Sequence, residues 1–234
     1  MSPELKQRIQ IALGAAILVA GARTAYILYE RHEAAQPATT REIPLNADYY
    51  VVPKKLYPYD LQSAKELMKQ PVWVKEGYRY TYYLYEGHHA DFKHNAGLLL
   101  PIEQLQITDV VTDATPGTPG EKQVLAVFQK DGKNYAFPIG SLKGSDYQIY
   151  SDEMLYIQDP HELYKHWTAE TWAAIAQHQV KPGMNELQAD FAIGMGIPER
   201  SGDPQVKTVN YPNGGHAVSI TYRDGKAAEI RNGS

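Results

Sequence analysis

The hydrophobic pattern begins with one long apolar run at residues 9–29, IQIALGAAILVAGARTAYILY, interrupted only by Gln10, Arg23 and Thr24. A helix of about 20 mostly apolar residues crosses the roughly 30 Å hydrocarbon core of a bilayer, and this run has that length. The pattern therefore predicts a transmembrane anchor over residues 9–29. Its membrane-anchoring residues are predicted to be Ile9, Ile11, Leu13, Ile17, Leu18, Val19, Tyr26, Ile27, Leu28 and Tyr29.

The flanks of this run predict its orientation and leave one alternative open. Lys6 and Arg8 lie in the short flank of residues 1–8, which favours a cytoplasmic amino terminus and a periplasmic or extracytoplasmic carboxyl-terminal part. The predicted location is a bacterial membrane, spanned once. The small residues Ala20 to Ala22 also fit a secretory signal peptide cleaved after residue 22.

Beyond a hydrophilic linker at residues 30–48, residues 49–157 predict a Tyr-rich β domain. Asp60 is placed to cap a short helix that Pro71 stops. Strand patterns follow, and the pair Asp131-Gly132 between two of them is typical of a tight hairpin turn. Several short strands with turns between them predict a small β barrel or sandwich, with an SH3-like barrel as one possibility.

The last segment, residues 158–234, changes to helical periodicity and then to a meander. Asp159-Pro160 marks a helix start, and Asn185 with Gln188 has capping-box spacing before a second helix. Turns at residues 212–215 and 223–226 then separate three strands. Two helices followed by three strands predict an ααβββ unit, so the fold class of the whole chain is α+β.

This segment also carries a resemblance, through three short motifs and the strands after them. The motifs are Trp172-x-x-Ile175, then Val180-x-Pro182-Gly183-Met184-Asn185, then Gly194-x-Gly196-x-Pro198. Over roughly residues 168–231 the sequence resembles the BamE-like (SmpA/OmlA) domain. The resemblance implies a small periplasmic protein-binding unit that assists outer-membrane assembly, with no catalytic residues.

Composition excludes several function classes. The net charge is −4, and Lys and Arg are not concentrated among aromatic residues, so nucleic acid is not a predicted partner. The absence of cysteine excludes disulfides, thiolate metal sites and a cysteine nucleophile. No cofactor-binding motif is present, and no cofactor is predicted.

Tyrosine is the most informative residue type, because there are 18 tyrosines against 4 phenylalanines and nine of them lie between Tyr49 and Tyr85. A strand over residues 78–85 would place tyrosines on both of its faces. One aromatic face could then stack on sugars or form a protein interface, and core packing is the third possibility. The binding candidates are Tyr78, Tyr80, Tyr82, Tyr83 and Tyr85.

A histidine-rich stretch at residues 87–94 is the one candidate for metal chemistry. Imidazole and carboxylate side chains are zinc-type ligands, and a loop can bring them together. The candidate ligands are His88, His89, Asp91 and His94; an exposed polar loop is the alternative.

Together these features predict a membrane-anchored, extracytoplasmic structural or assembly subunit rather than an enzyme. Its predicted partners are membrane or envelope proteins, possibly within a larger membrane complex, and the bilayer itself through residues 9–29. Two alternatives stay open: a peptidoglycan- or glycan-binding module that uses the tyrosines, and a metal-dependent hydrolase that uses residues 88–94.

Overall fold

The computed structural model describes residues 14, 18–29, 31, 46–115, 117–200, 203 and 205–233. The chain divides into two compact units, Met1–Asn46 and Ala47–Ser234. In the first unit, residues 18–29 are helical, which at 1.5 Å per residue gives a length of about 18 Å. Within the part of the chain that the structure describes, no helix has the length and apolarity needed to span a membrane.

This finding overturns the predicted transmembrane anchor, and with it the signal-anchor assignment and the single-pass localisation. Six of the predicted anchoring residues, Leu18, Val19, Tyr26, Ile27, Leu28 and Tyr29, lie on the described helix. The other four, Ile9, Ile11, Leu13 and Ile17, lie outside the described residues, as does most of the predicted linker.

The second unit contains thirteen strands among its described residues. They are β1 (Val72–Val74), β2 (Thr81–Glu86), β3 (His89–Leu98), β4 (Gln104–Leu105), β5 (Ile107–Ala114), β6 (Glu121–Lys130), β7 (Lys133–Lys143), β8 (Asp146–Ile149), β9 (Leu155–Tyr156), β10 (Ile197–Pro198), β11 (Val206–Tyr211), β12 (Val218–Arg223) and β13 (Lys226–Asn232).

The helices of this unit are short, and side chains cap most of them. They are α1 (Leu61–Ala64), α2 (Ser151–Met154), α3 (Pro160–Leu163), α4 (Ala169–Ala176) and α5 (Glu186–Ile193), with 3-10 turns at Ala47–Tyr50, Lys65–Lys69 and Asn213–Gly215. The predicted caps at Asp60 and Asp159 and the capping box of Asn185 with Gln188 are all present. Such caps satisfy amide groups that a helix leaves without partners, so they fix where each helix begins.

The predicted fold class is wrong, because the second unit is built mainly from β-sheet and no helix among the described residues could span a membrane. Its strands form sheets of three, four and six strands, in the orders β4-β1-β9, β10-β11-β12-β13 and β3-β2-β7-β6-β5, with β8 on β7. The carboxyl-terminal sheet gains a fourth strand because Ile197–Pro198 pairs with β11. A strand of two residues has no periodicity, so the sequence pattern did not reveal it.

The six-stranded sheet curls but does not close into the predicted SH3-like barrel. Among the described strands, β3 and β5 are the two edge strands of this sheet, and they do not pair with each other. The two ends meet through a side chain, because Asp113 on β5 accepts a hydrogen bond of 2.7 Å from the amide of Ala90 on β3. The predicted hairpin turn at Asp131-Gly132 is confirmed, since both residues have positive φ and join β6 to β7.

Two hydrophobic cores lie on either side of the three-stranded sheet. Val72 and Val74 of β1 belong to the core beneath the six-stranded sheet, whereas Trp73 packs against the core formed by α4, α5 and the four-stranded sheet. On β9, Leu155 belongs to the core beneath the six-stranded sheet, and Tyr156 belongs to the other core. Because alternate residues of a strand point to opposite faces, this short sheet forms a wall shared by both cores.

Candidate binding surfaces

The five tyrosines predicted as a binding face are all at least partly buried. Tyr78 and Tyr80 precede β2, and Tyr78 adopts a positive φ of 61°. Tyr82 is only 9% exposed and packs edge-on against Phe128 and Tyr135. Burial and the neighbouring Glu76 raise the pKa of Tyr80 above its ordinary value, so this phenol stays neutral.

The two remaining tyrosines of β2 lie on the opposite face of the sheet. Tyr83 packs edge-on against Phe92, with ring centroids 5.1 Å apart, and Tyr85 packs against a small apolar cluster around Leu125. The predicted distribution of aromatic rings over both faces of this strand is therefore present. Neither face carries a fully exposed tyrosine, and these contacts favour a packing role.

The histidine stretch does not assemble a ligand set. His89 and His94 contact different carboxylates, Asp113 at 3.1 Å and Asp91 at 2.9 Å, and His88 occupies a turn with φ of 66°. In the described residues no group of three or more such side chains could hold a metal ion. Burial alone would raise the pKa of Asp113, but hydrogen bonds from Ala90 and His89 lower it below its ordinary value.

The exposed tyrosines lie earlier in the chain, at residues 49–59, which we call the aromatic segment. Tyr49, Tyr50, Tyr57 and Tyr59 are each 69% to 78% exposed, and Val52 is 84% exposed. Exposed apolar groups concentrated on one segment mark an interaction surface, whereas single exposed residues do not.

One buried carboxylate anchors the start of the aromatic segment. The side chain of Asp48 is 5% exposed and accepts hydrogen bonds from His166 Nε2 at 2.6 Å, Trp167 Nε1 at 2.7 Å and Asn185 Nδ2 at 2.7 Å. These donors come from the region around α3 to α5, more than 100 residues away in sequence. Because these three donors belong to the core formed by α4, α5 and the four-stranded sheet or to its edge, Asp48 ties the start of the segment to that core.

The rest of the segment has no regular secondary structure, and two contacts hold it to the folded body. The amide of Lys54 donates to Gln158 Oε1 at 2.7 Å, and Pro58 is buried between the exposed residues Tyr57 and Tyr59. Tyr57 and Tyr59 therefore present their rings to solvent on either side of a buried residue.

A second candidate site is a cleft beside the core formed by α4, α5 and the four-stranded sheet, which we call the Trp172 cleft. It has a volume of about 240 Å³ and is lined by the turn at residues 100–103, by His161, by Trp172, Ile175 and Ala176 of α4, and by His178. The rings of His161 and Trp172 are stacked, with centroids 4.0 Å apart and planes inclined by 27°.

Two residues that line this cleft, Ile102 and His178, have positive φ angles. The amide of Glu103 donates to the carbonyl of Leu100, and Ile102 has φ of 54° in the turn between them. With Pro101 second and a positive φ third, this is the geometry of a type II turn, which normally carries glycine where Ile102 stands. His178 also has a positive φ, of 52°. A β-branched residue is uncommon in such a conformation, and here the amide of Ile102 also donates to the carbonyl of Val74 at 3.0 Å.

A buried carboxyl group beside two tyrosines forms a third unusual cluster, within the four-stranded sheet. The hydroxyls of Tyr211 and Tyr222 are 2.7 Å apart, and Asp190 of α5 lies next to them. Burial and the nearby Glu186 raise the pKa of Asp190 to about 7. The residue is partly exposed as a whole, but its Oδ1 atom is buried and has no hydrogen-bond partner among the described residues. Tyr211 and Tyr222 belong to the core formed by α4, α5 and this sheet, and we assign the cluster to packing.

The tyrosines of the aromatic segment were not among the binding candidates predicted from the sequence. The available signal was Pro53, Lys54 and Lys55 between the tyrosines, since prolines and charges argue against a buried strand. The Trp172 cleft had no local signal, because its residues come from sequence positions up to 78 apart, Leu100 and His178 being the extremes.

Comparisons with known proteins found no match: no family model, no curated protein and no solved structure matches this chain. The resemblance to the BamE-like domain is therefore neither supported nor refuted, and it stays a prediction.

Proposed function

We propose that this chain is a non-catalytic subunit that binds another protein through the aromatic segment. The observation that carries the proposal is the exposure of four tyrosines, each 69% or more, on a segment that hydrogen bonds from Trp167 and to Gln158 hold against the folded body. Tyrosine is enriched at binding hot spots because it buries a large ring at little cost in side-chain entropy. A segment already fixed to the folded body loses less conformational entropy on binding.

The charges around these rings define the partner's chemistry. Lys54 and Lys55 are exposed on the same segment, and the Lys55 Nζ lies 5.9 Å from the centre of the Tyr57 ring. The matching surface is apolar at its centre and carries carboxylates at its rim, since opposite charges accelerate and orient association. An aromatic centre with a charged rim is the usual anatomy of a protein interface.

The test is site-specific crosslinking in intact cells. A photoreactive amino acid replaces Tyr57 or Tyr59, and the same replacement at Tyr150, which is 46% exposed, is the control. We expect one defined protein to be captured from positions 57 and 59 but not from position 150. The captured protein, once purified, should bind the wild-type chain and lose at least ~10-fold in affinity with Tyr57→Ser and Tyr59→Ser combined, because hot-spot tyrosines contribute more than ~1 kcal/mol each. Unchanged affinity in that variant contradicts the proposal.

Sugar stacking is the competing use of the same surface, because exposed aromatic rings also pack against the apolar faces of sugars. Sedimentation of the chain with purified peptidoglycan distinguishes glycan binding from protein binding. Retention of the wild-type chain on the polysaccharide, and its loss in the double variant, would replace the protein partner with a glycan.

A further inference from the structure

The polar groups of the Trp172 cleft present hydrogen-bond acceptors. The Nδ1 atom of His178 lies 3.0 Å from the carbonyl oxygen of Ala192, which can only accept, so this nitrogen carries the proton. The Nδ1 atom of His161 lies 3.0 Å from the carboxylate of Asp159 in the same arrangement. In a neutral imidazole the other nitrogen, Nε2, is then an acceptor. No hydrogen bond to either Nε2 atom is present among the described residues.

The remaining walls of the cleft are flat or apolar. The stacked pair of Trp172 and His161 forms one wall, and Ile102 and Ile175 supply aliphatic surface. A cavity of about 150 Å³ accommodates benzene. At about 240 Å³, the cleft has room for a larger planar molecule such as a bicyclic ring.

The polar groups at the cleft fit neither an anion nor a metal ion. Its one carboxylate, on Glu103, already accepts the amide of Leu100 and the Nζ atom of Lys130, both at 2.8 Å. Asp159 lies behind His161. A phosphate or carboxylate ligand would meet two negative groups, and no three metal-ligating side chains converge in the described residues.

From this geometry we propose that the Trp172 cleft binds a free, neutral, planar aromatic molecule with one N–H donor, of the indole type. The ring lies against the shelf of Trp172 and His161, and its N–H donates to Nε2 of His178. Ile102 holds its strained conformation because its side chain then forms part of the wall. This inference does not rest on the proposed function, since the cleft and the aromatic segment share no residue.

The experiment titrates the full chain with indole and follows the Nε1–H signal of Trp172 by NMR. We expect a dissociation constant of about 0.1 to 1 mM, as for other ligands of this size. Ala176 and Ala173 are both exposed on α4, but only Ala176 lines the cleft. Ala176→Phe should therefore abolish binding, whereas Ala173→Phe should leave it unchanged.

Two further comparisons test the hydrogen bond. 1-Methylindole keeps the ring but lacks the donor, so it should bind the wild-type chain roughly 3- to 10-fold more weakly than indole. In His178→Asn, which tolerates the positive φ, the two ligands should bind equally. Absence of indole binding to the wild-type chain, or equal binding by Ala176→Phe, would overturn the site; continued discrimination in His178→Asn would overturn the assigned acceptor. Crosslinking from position 57 should be the same in all three variants.

Discussion

Two tyrosine-rich stretches of this chain differ in exposure, although their composition is similar. Residues 49–59 and residues 78–85 hold four and five tyrosines. In the first stretch all four rings are largely exposed, whereas in the second all five are partly or fully buried. Residue type alone therefore does not decide whether an aromatic side chain packs or binds.

The difference arises from backbone pairing. Residues 81–86 form β2, which pairs with β3 and β7, so apolar side chains of neighbouring strands cover its rings. The aromatic segment pairs with no strand among the described elements and is held by side chains such as Asp48 instead. Side-chain anchors fix a backbone without covering it, and the tyrosines therefore remain available to a partner.

The sharpest test of the buried stretch is Tyr82→Ala. We expect it to lower the free energy of unfolding by about 3 to 5 kcal/mol, because it leaves a cavity beside Phe128 and Tyr135. Urea denaturation followed by circular dichroism measures the change. Tyr82→Phe, which keeps the ring, should cost less than about 1 kcal/mol; equal losses in both variants would show that packing of the ring is not the cause.

The anchor of the exposed stretch is tested by Asp48→Ala. Removing the shared acceptor leaves three donors without their partner, which should cost about 1 to 3 kcal/mol. Local opening should also make Lys54 and Lys55 more accessible, so limited trypsin digestion should cut there faster. Asp146→Ala, at an exposed carboxylate, is the control and should cleave at the wild-type rate.

The buried carboxyl group beside Tyr211 and Tyr222 predicts how the stability of the chain depends on pH. Asp190, beside Tyr211 and Tyr222, has a pKa of about 7 in the folded chain and an ordinary value of 3.8. Below about pH 4 the carboxyl is protonated in both states. As pH rises towards 7 only the unfolded state ionises, so this group's contribution to stability is lost over that window.

Asp190→Asn should remove this dependence. We expect the variant to exceed the wild type in unfolding free energy by on the order of 2 kcal/mol at about pH 8, and to differ little at about pH 4. Urea denaturation at the two pH values gives the comparison. A constant difference between the two proteins at both pH values would argue against a buried neutral carboxyl.

The smallest effect on stability is expected in the exposed stretch itself. Tyr57→Ser and Tyr59→Ser should each change the unfolding free energy by less than about 0.5 kcal/mol, since exposed rings bury little surface in the free chain. Thermal denaturation measures this directly. A loss as large as that of Tyr82→Ala would mean that these rings pack within the folded chain.

Local chemistry was the part of the fold that the sequence predicted well. The caps at Asp60, Asp159 and Asn185 and the turn at Asp131-Gly132 each depend on a few adjacent residues, and all are present. The prediction of a membrane anchor is wrong, because no helix among the described residues is long and apolar enough to span a membrane. The fourth strand of the carboxyl-terminal sheet was missed because it is only two residues long.

The candidate sites were predicted less well, because each depends on residues distant in sequence. The composition identified tyrosine as the important residue type, but it pointed to Tyr78–Tyr85, which strand pairing covers. The Trp172 cleft joins a turn near residue 101 to a helix near residue 172, and no local pattern connects them.

By itself, the sequence determined where helices and hairpins begin and that the chain has no cysteine chemistry, since caps, turns and composition act over a few bonds. Only the tertiary structure decided which tyrosines face solvent, which imidazole nitrogens remain acceptors and which carboxyl group is buried. Those properties depend on what other segments lie nearby in space, and a linear pattern does not contain that information.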